Sequence, residues 1–274
     1  MIIYHADDYG ISINASKEIL SLVQQGKLSG ISVIPNMSCF ADCIDLLLPV
    51  MKERPALTAA LHLNFFEGHC CADPAKIPLL VDENGYFKCS WMYFFKSSYT
   101  SVRNELRKQL STEIQAQIQK LYHAMPSNYV LCLDSHQHSH MIPVVWDALR
   151  DVVLWNHYQV QYIRISREPL APYLSTPALY HTYPPVNLIK NVIIQFCTWY
   201  TKRHPIIPMK GNYYLWGLIM GGSMDADRIK QLMDKFQKYG QDPDTLELLF
   251  HPGIILPEEL SPEYNNPDFK AAET

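Results

Sequence analysis

The sequence predicts an α/β fold on a parallel sheet, doubly wound or closed as a barrel, and three observations predict it. Apolar strand-like runs alternate with helix-period segments along most of the 274 residues, and such alternation builds parallel sheets covered by helices. Polar residues with useful chemistry stand at the carboxyl ends of those runs, where ligands bind in sheets of this class. The length suits one domain, since α/β barrels of this size often run as a single unit.

The elements follow in order. Ile2-Ile3-Tyr4-His5 is a first strand with no basic region or apolar leader before it, so no signal peptide is expected. Over 12–25, Ile13, Ser16, Ile19, Leu20 and Val23 share one helical face and Gly26 supplies the stop. Ile31-Ser32-Val33-Ile34 reads as the second strand, 41–51 as a helix and 57–63 as the third strand. A turn-rich insert over 67–88 leads into a helix over 102–122, a strand over 129–133, a helix after Pro143 and a strand over 160–165. Between 168 and 222 the rhythm breaks, with seven prolines around one apolar helix-like stretch near 187–200. That stretch is expected to be an irregular insert over the mouth of a single 1–274 domain. A helix over 225–239 and a strand over 246–250 restore the pattern and end in His251-Pro252-Gly253.

Composition removes several function classes. Apolar residues make up 48% and charged residues 18%, too apolar a balance for extended disorder. The net charge of −4, without a basic stripe, argues against a nucleic-acid backbone binder. Seven cysteines without a CxxC pair favour reduced thiols and a cytoplasmic location. No apolar run reaches the roughly 20 residues that span a bilayer, so a soluble protein is expected, with at most a surface that touches lipid. Dinucleotide, Walker A, GxSxG and HExxH motifs are all missing.

Asp7-Asp8 follows the first strand directly, and adjacent carboxylates repel unless a cation or proton is shared. On an extended backbone they point to opposite sides, so one is expected to face a metal and the other a substrate or its water. Read alone, the pair also suits a strand-end turn beside a helix cap. Asp134-Ser135-His136-Gln137-His138-Ser139-His140 is more specific: if extended, its period of two sets Asp134 and three histidines on one face. Such a face is costly to bury unless it is hydrogen-bonded or bound to a metal. One or two of the histidines are expected as ligands, with the others orienting them. His62 ends the third strand in the same register, so Asp8, His62 and His136 form a candidate metal site with a position left for water. His251 and Arg164 also stand at strand ends. A histidine there suits a general acid, and the arginine suits orienting a carboxylate, binding substrate or a plain salt bridge.

Read together, His5-Ala6-Asp7-Asp8-Tyr9-Gly10, Leu61-His62-Leu63-Asn64, the 134–140 segment and Glu247-Leu248-Leu249-Phe250-His251-Pro252-Gly253 resemble the YdjC/ChbG family of carbohydrate deacetylases. The resemblance implies a (β/α) barrel of the glycoside hydrolase/deacetylase type and metal-dependent removal of acetyl groups from N-acetylated sugars such as chito-oligosaccharides. It implies Asp8, His62 and His136 as ligands of a divalent ion, Asp7 as general base, His251 as acid, and Arg164 as the family's strand-end arginine. Family resemblance points to magnesium, while two imidazoles would suit zinc better. Residues 217–224 look like the hopanoid-associated branch. The 264–274 segment lacks the arginine usual after the HPG motif in the family, which continues through a last helix and strand, so the expectation is either a barrel that closes without its final unit or a shortened form of the chain.

Two other readings compete: a phosphoesterase on the same barrel type, and a sugar-binding relative without turnover. Aromatic residues in the insert (Tyr173, Tyr180, Tyr183, Trp199, Tyr213, Tyr214, Trp216) suit stacking on sugar rings or ordinary packing. A homodimer through the insert is the expected assembly.

Overall fold

A computed structural model describes residues 1–259. Seven strands, β1 (Ile2–Tyr9), β2 (Gly30–Val33), β3 (Thr58–Leu63), β4 (Leu131–Ser135), β5 (Val160–Ile163), β6 (Tyr213–Trp216) and β7 (Thr245–Phe250), form one sheet in the order β5-β4-β3-β2-β1-β7-β6. All pairings are parallel. The inner strands β2, β3 and β4 are short runs buried on both faces, as helices covering a parallel sheet require, whereas β5 at the edge keeps Gln161 exposed.

The sheet is rolled. From β5 to β7 is five strand steps, about 24 Å across a flat sheet at about 4.8 Å per step. Yet Arg164, just past β5, lies 2.5 Å from Glu247 of β7. The edges β5 and β6 approach closely enough for Leu215 N–H to donate to Arg167 O (2.8 Å) and for Tyr162 to stack on Tyr213. The expected barrel is thus met by a curled seven-stranded half-barrel, with no complete eight-stranded barrel among the described residues. The segment 264–274, where a missing last unit was expected, lies outside them.

Among the described residues, eight α-helices accompany the sheet: α1 (Ile13–Gln24), α2 (Phe40–Glu53), α3 (Trp91–Ser97), α4 (Arg103–Ala124), α5 (Pro143–Trp155), α6 (Ala171–Leu174), α7 (Pro185–Arg203) and α8 (Ala226–Phe236). Ser12 and Asp225 cap α1 and α8 by accepting from Ala15 N–H and Arg228 N–H. On α4, Gln117 clamps the backbone of Asn64 from both sides (3.0 and 2.6 Å), pinning the loop after β3. The short helix α3 was not expected. The stretch 168–222, expected as an irregular insert, carries α6, α7 and the regular strand β6. Its aromatic residues pack mainly inward: Tyr173 and Trp216 are fully buried, with Trp216 stacked on Phe236 at 4.1 Å. Tyr180 and Trp199 are exposed. No helix among the described residues is long and apolar enough to cross a membrane.

Candidate functional site

The site forms at the carboxyl ends of β1, β3 and β4, with β2 between the first two. Asp8 has a left-handed backbone (φ 62°), and the pairing of β1 with β2 breaks register between Ala6 and Tyr9. This overturns the expectation that Asp7 and Asp8 point to opposite sides. The turn brings both carboxylates to His62 Nε2, at 3.9 Å from Asp7 Oδ2 and 3.3 Å from Asp8 Oδ1. A non-glycine residue at such a φ costs on the order of 1 kcal/mol or more, which the surrounding contacts must offset. His136 Nδ1 approaches Asp8 Oδ1 from the far side at 3.0 Å. Potential ligand atoms of Asp8, His62 and His136 all lie within 4.8 Å of one another, and all three residues are buried.

The 134–140 segment is not extended throughout. β4 stops at Ser135, and Gln137 (φ 53°) and His138 (φ 56°) are left-handed inside a tight 3-10 turn, so the side chains disperse instead of sharing a face. His136 joins Asp8, while His138 Nδ1 meets Ser166 Oγ at 3.0 Å. His140 is held by Ser135 Oγ (2.6 Å) and donates from Nε2 to Arg164 O (2.8 Å). None is a surface-loop histidine. Burial lowers His138 well below the ordinary histidine value and lowers His140 to about 4.

Beneath the site the half-barrel interior is ionic. Arg164, fully buried, grips Asp7 with both terminal guanidinium nitrogens at 2.8 Å and reaches Asp134 at 2.9 Å and Glu247 at 2.5 Å. Its geometry is that of a residue orienting a carboxylate, with no exposed surface for substrate. Burial opposes ionisation of both aspartates. Arg164 and His62 beside Asp7, and His136 and His62 beside Asp8, nevertheless hold both below the usual carboxylate range. Burial also opposes the charged form of His62, but Asp7, Asp134 and Asp8 outweigh it and raise His62 to about 10.

His251 stands one residue past β7, which pairs with β1 on one side and β6 on the other. It is exposed at the rim of a cleft of about 70 Å³ that it shares with Asp7 and Asp8. Gly253 explains why the turn is HPG: its φ is +102°, and an added Cβ would sit 2.8 Å from Ala15 Cα. Only glycine lets this turn close on α1.

Sequence reasoning gave no role to three residues of this network, His5, Ser32 and Glu247. Asp134 accepts from His62 Nδ1–H at 2.6 Å and from Ser32 Oγ–H, and His5 Nε2 lies 2.6 Å from Ser32 Oγ. Glu247 accepts from Tyr213 OH inside the barrel. A signal for Glu247 existed: it is a lone acid inside an apolar strand buried on both faces. His5 and Asp7 likewise sit two apart on β1, which sets them on one face.

A rolled parallel sheet with carboxylate and imidazole groups converging at its carboxyl ends defines a barrel-like α/β protein with a candidate metal site there. The chain belongs to the YdjC-like family, whose model matches residues 1–272. Among curated relatives, it is 25% identical to a carbohydrate deacetylase of Thermoanaerobacter pseudethanolicus over 169 residues, covering 62% of this chain and 63% of that one. It is 31% identical to a carbohydrate deacetylase of Listeria monocytogenes serotype 4b over 127 residues, 45% of this chain and 46% of that one. The matches thus span between about half and two thirds of these relatives' lengths. A solved structure from Enterococcus faecalis V583, provisionally named a cellobiose-phosphate cleavage protein, shares the fold with a TM-score of 0.64 at 17% identity. It covers 99% of this chain and 92% of that one.

Proposed function

We propose that this protein is a metal-dependent hydrolase that removes acetyl groups from N-acetylated sugars. The carrying observation is the buried Asp8, His62 and His136 group with a second aspartate, Asp7, beside it, both carboxylates lining one cleft. The family and the names of its curated relatives support the sugar amide as substrate.

The residues fit a divalent cation. Three buried carboxylates (Asp7, Asp134, Glu247) share the one guanidinium of Arg164, and Asp8 faces only the imidazoles of His62 and His136, an excess of acidic groups that a cation relieves. Asp134 accepts a hydrogen bond from His62 Nδ1–H and so turns Nε2 toward Asp8, the carboxylate–histidine arrangement usual behind metal-binding imidazoles. Asp8, His62 and His136 would hold the ion, which would polarise the acetamide carbonyl and acidify a water molecule. One carboxylate with two imidazoles suits zinc and related ions as well as the magnesium implied by resemblance.

Asp7, kept ionised and aimed by Arg164, receives the proton of the attacking water. His251, at the rim of the same cleft, delivers a proton to the departing sugar amine, and the products are acetate and a free amino sugar. The cleft admits an acetamide-sized group and is far below the roughly 300 Å³ that encloses a whole small molecule, so the sugar ring rests outside it. A two-metal phosphoesterase is disfavoured, because the second group of potential ligands (His5, Asp7, Asp134) is already bridged by Arg164.

The test is metal content per chain with acetate release from N-acetylglucosamine oligomers. About one ion per chain is expected in the wild type and Asp7→Asn and none in His136→Ala, with turnover reduced about 10²- to 10⁴-fold by Asp7→Asn. Full turnover in both variants would falsify the assignment, and tight glycan binding without acetate release in the wild type would favour the binding-protein reading.

A further inference from the structure

Helix α7 is turned inside out. Its inward side carries Asn191, Thr198 and Thr201 besides Ile194 and Cys197. Its solvent side carries Val186, Ile189, Val192, Phe196 and Trp199, spaced three or four apart and therefore on one face. Ile189 and Val192 are 61% and 60% exposed, and the Arg203 guanidinium lies 3.6 Å over the Trp199 ring at the end of the stripe. Around the helix, residues 169–224 contain Lys190, Lys202, Arg203 and Lys210 and not one Asp or Glu, in a chain of net charge −4. Asp244, the acidic group that acts on Lys202 from outside this stretch, accepts hydrogen bonds from Asn212. At the C-terminal end of the helix an apolar cavity of about 230 Å³ opens beside Lys202, lined by Ile206, Met209 and Tyr213.

We propose that the exposed face of α7 docks onto an anionic lipid surface, with the helix lying in the plane of the headgroups. An apolar stripe with aromatic anchors and basic flanks is the signature of interfacial helices, and acidic headgroups complement the acid-free stretch. A second copy of the chain is the weaker occupant, because a two-fold interface sets this patch against itself, basic group to basic group. The inner side of α7 packs on the turn that carries His136, so docking sets the candidate site close to the bilayer.

The test is co-sedimentation of the full chain with vesicles of phosphatidylcholine alone and of phosphatidylcholine mixed with phosphatidylglycerol, with its oligomeric state measured by sedimentation velocity. Binding to the anionic vesicles only is expected. Phe196→Ser with Trp199→Ser should weaken it about tenfold or more, and Lys190→Glu and Lys202→Glu by about fivefold or more each. All four side chains lie at the surface, so the variants should melt as the wild type does. No vesicle binding, or equal binding to both vesicle types, overturns the proposal. A dimer that Phe196→Ser with Trp199→Ser converts to monomer, without vesicle binding, replaces it with self-association.

Discussion

Arg164→Lys separates the two tasks of the buried arginine, balancing charge and aiming Asp7. Lysine keeps the positive charge but replaces a planar fork with one ammonium. The fork presents two parallel hydrogen bonds of 2.8 Å to the two oxygens of Asp7 and reaches Asp134 and Glu247 as well. At least one charge-assisted bond must be lost, about 2 kcal/mol, which lowers the melting temperature by roughly 5 °C in a chain of this size. Freed from the fork, Asp7 can swing by an ångström, and misplacement of that order costs about 10²-fold in turnover. The ion should stay, because Arg164 is not in the Asp8, His62 and His136 group. Arg164→Met removes the charge itself and leaves buried carboxylates uncompensated, about 3 to 5 kcal/mol. The assay is thermal melting, metal content and acetate release side by side. If Arg164→Lys kept wild-type turnover, or Arg164→Met melted at the temperature of Arg164→Lys, the positioning and charge-balance account would fail.

Three further outcomes are expected. His140 has its folded-state value lowered to about 4, burial being the main cause, so the unfolded chain takes up the proton first as pH falls below about 6.5. Stability is fully present above that and falls by about 3 kcal/mol between pH 6.5 and 4; urea titrations should show the slope reduced in His140→Gln, and an unchanged slope would refute the assignment. Gly253→Ala must meet Ala15 while holding φ +102°, a loss of about 1 to 3 kcal/mol that should displace His251 and reduce turnover with the ion retained; a variant as stable and active as the wild type would count against the turn's role. Asp134→Asn should weaken ion affinity about 10- to 100-fold through the misdirected His62 ring, measured by competition with a chelating dye, and undiminished affinity would show that Asp134 does not orient the ring.

The alternation of elements was legible because strands of a parallel sheet are short apolar runs and the helices between them are amphipathic, and both patterns are local. Strand β6 was hidden because Tyr213 to Trp216 follow a proline-rich stretch, where a four-residue apolar run cannot be told from loop by period alone. The convergence of Asp8, His62 and His136 was legible from strand-end positions. The path to it was not, since it depends on left-handed residues at Asp8, Gln137 and His138. Aspartate and histidine adopt that backbone more often than most residues, but none of the three marks it in a sequence as glycine does.

The least legible feature was the link between site and scaffold. Arg164 sits five strand steps from Glu247 in the sheet order, so a reader of the sequence meets the two as unrelated strand-end residues. Only rolling the sheet sets them 2.5 Å apart. The same rolling brings Asp7, Asp134 and Glu247 onto Arg164, which offsets their mutual repulsion. The group that aims Asp7 therefore also carries the charge balance of the interior. Stability and turnover should then fall together in any variant of Arg164 and separate in variants of His136, whose ring stands at the mouth rather than in the interior.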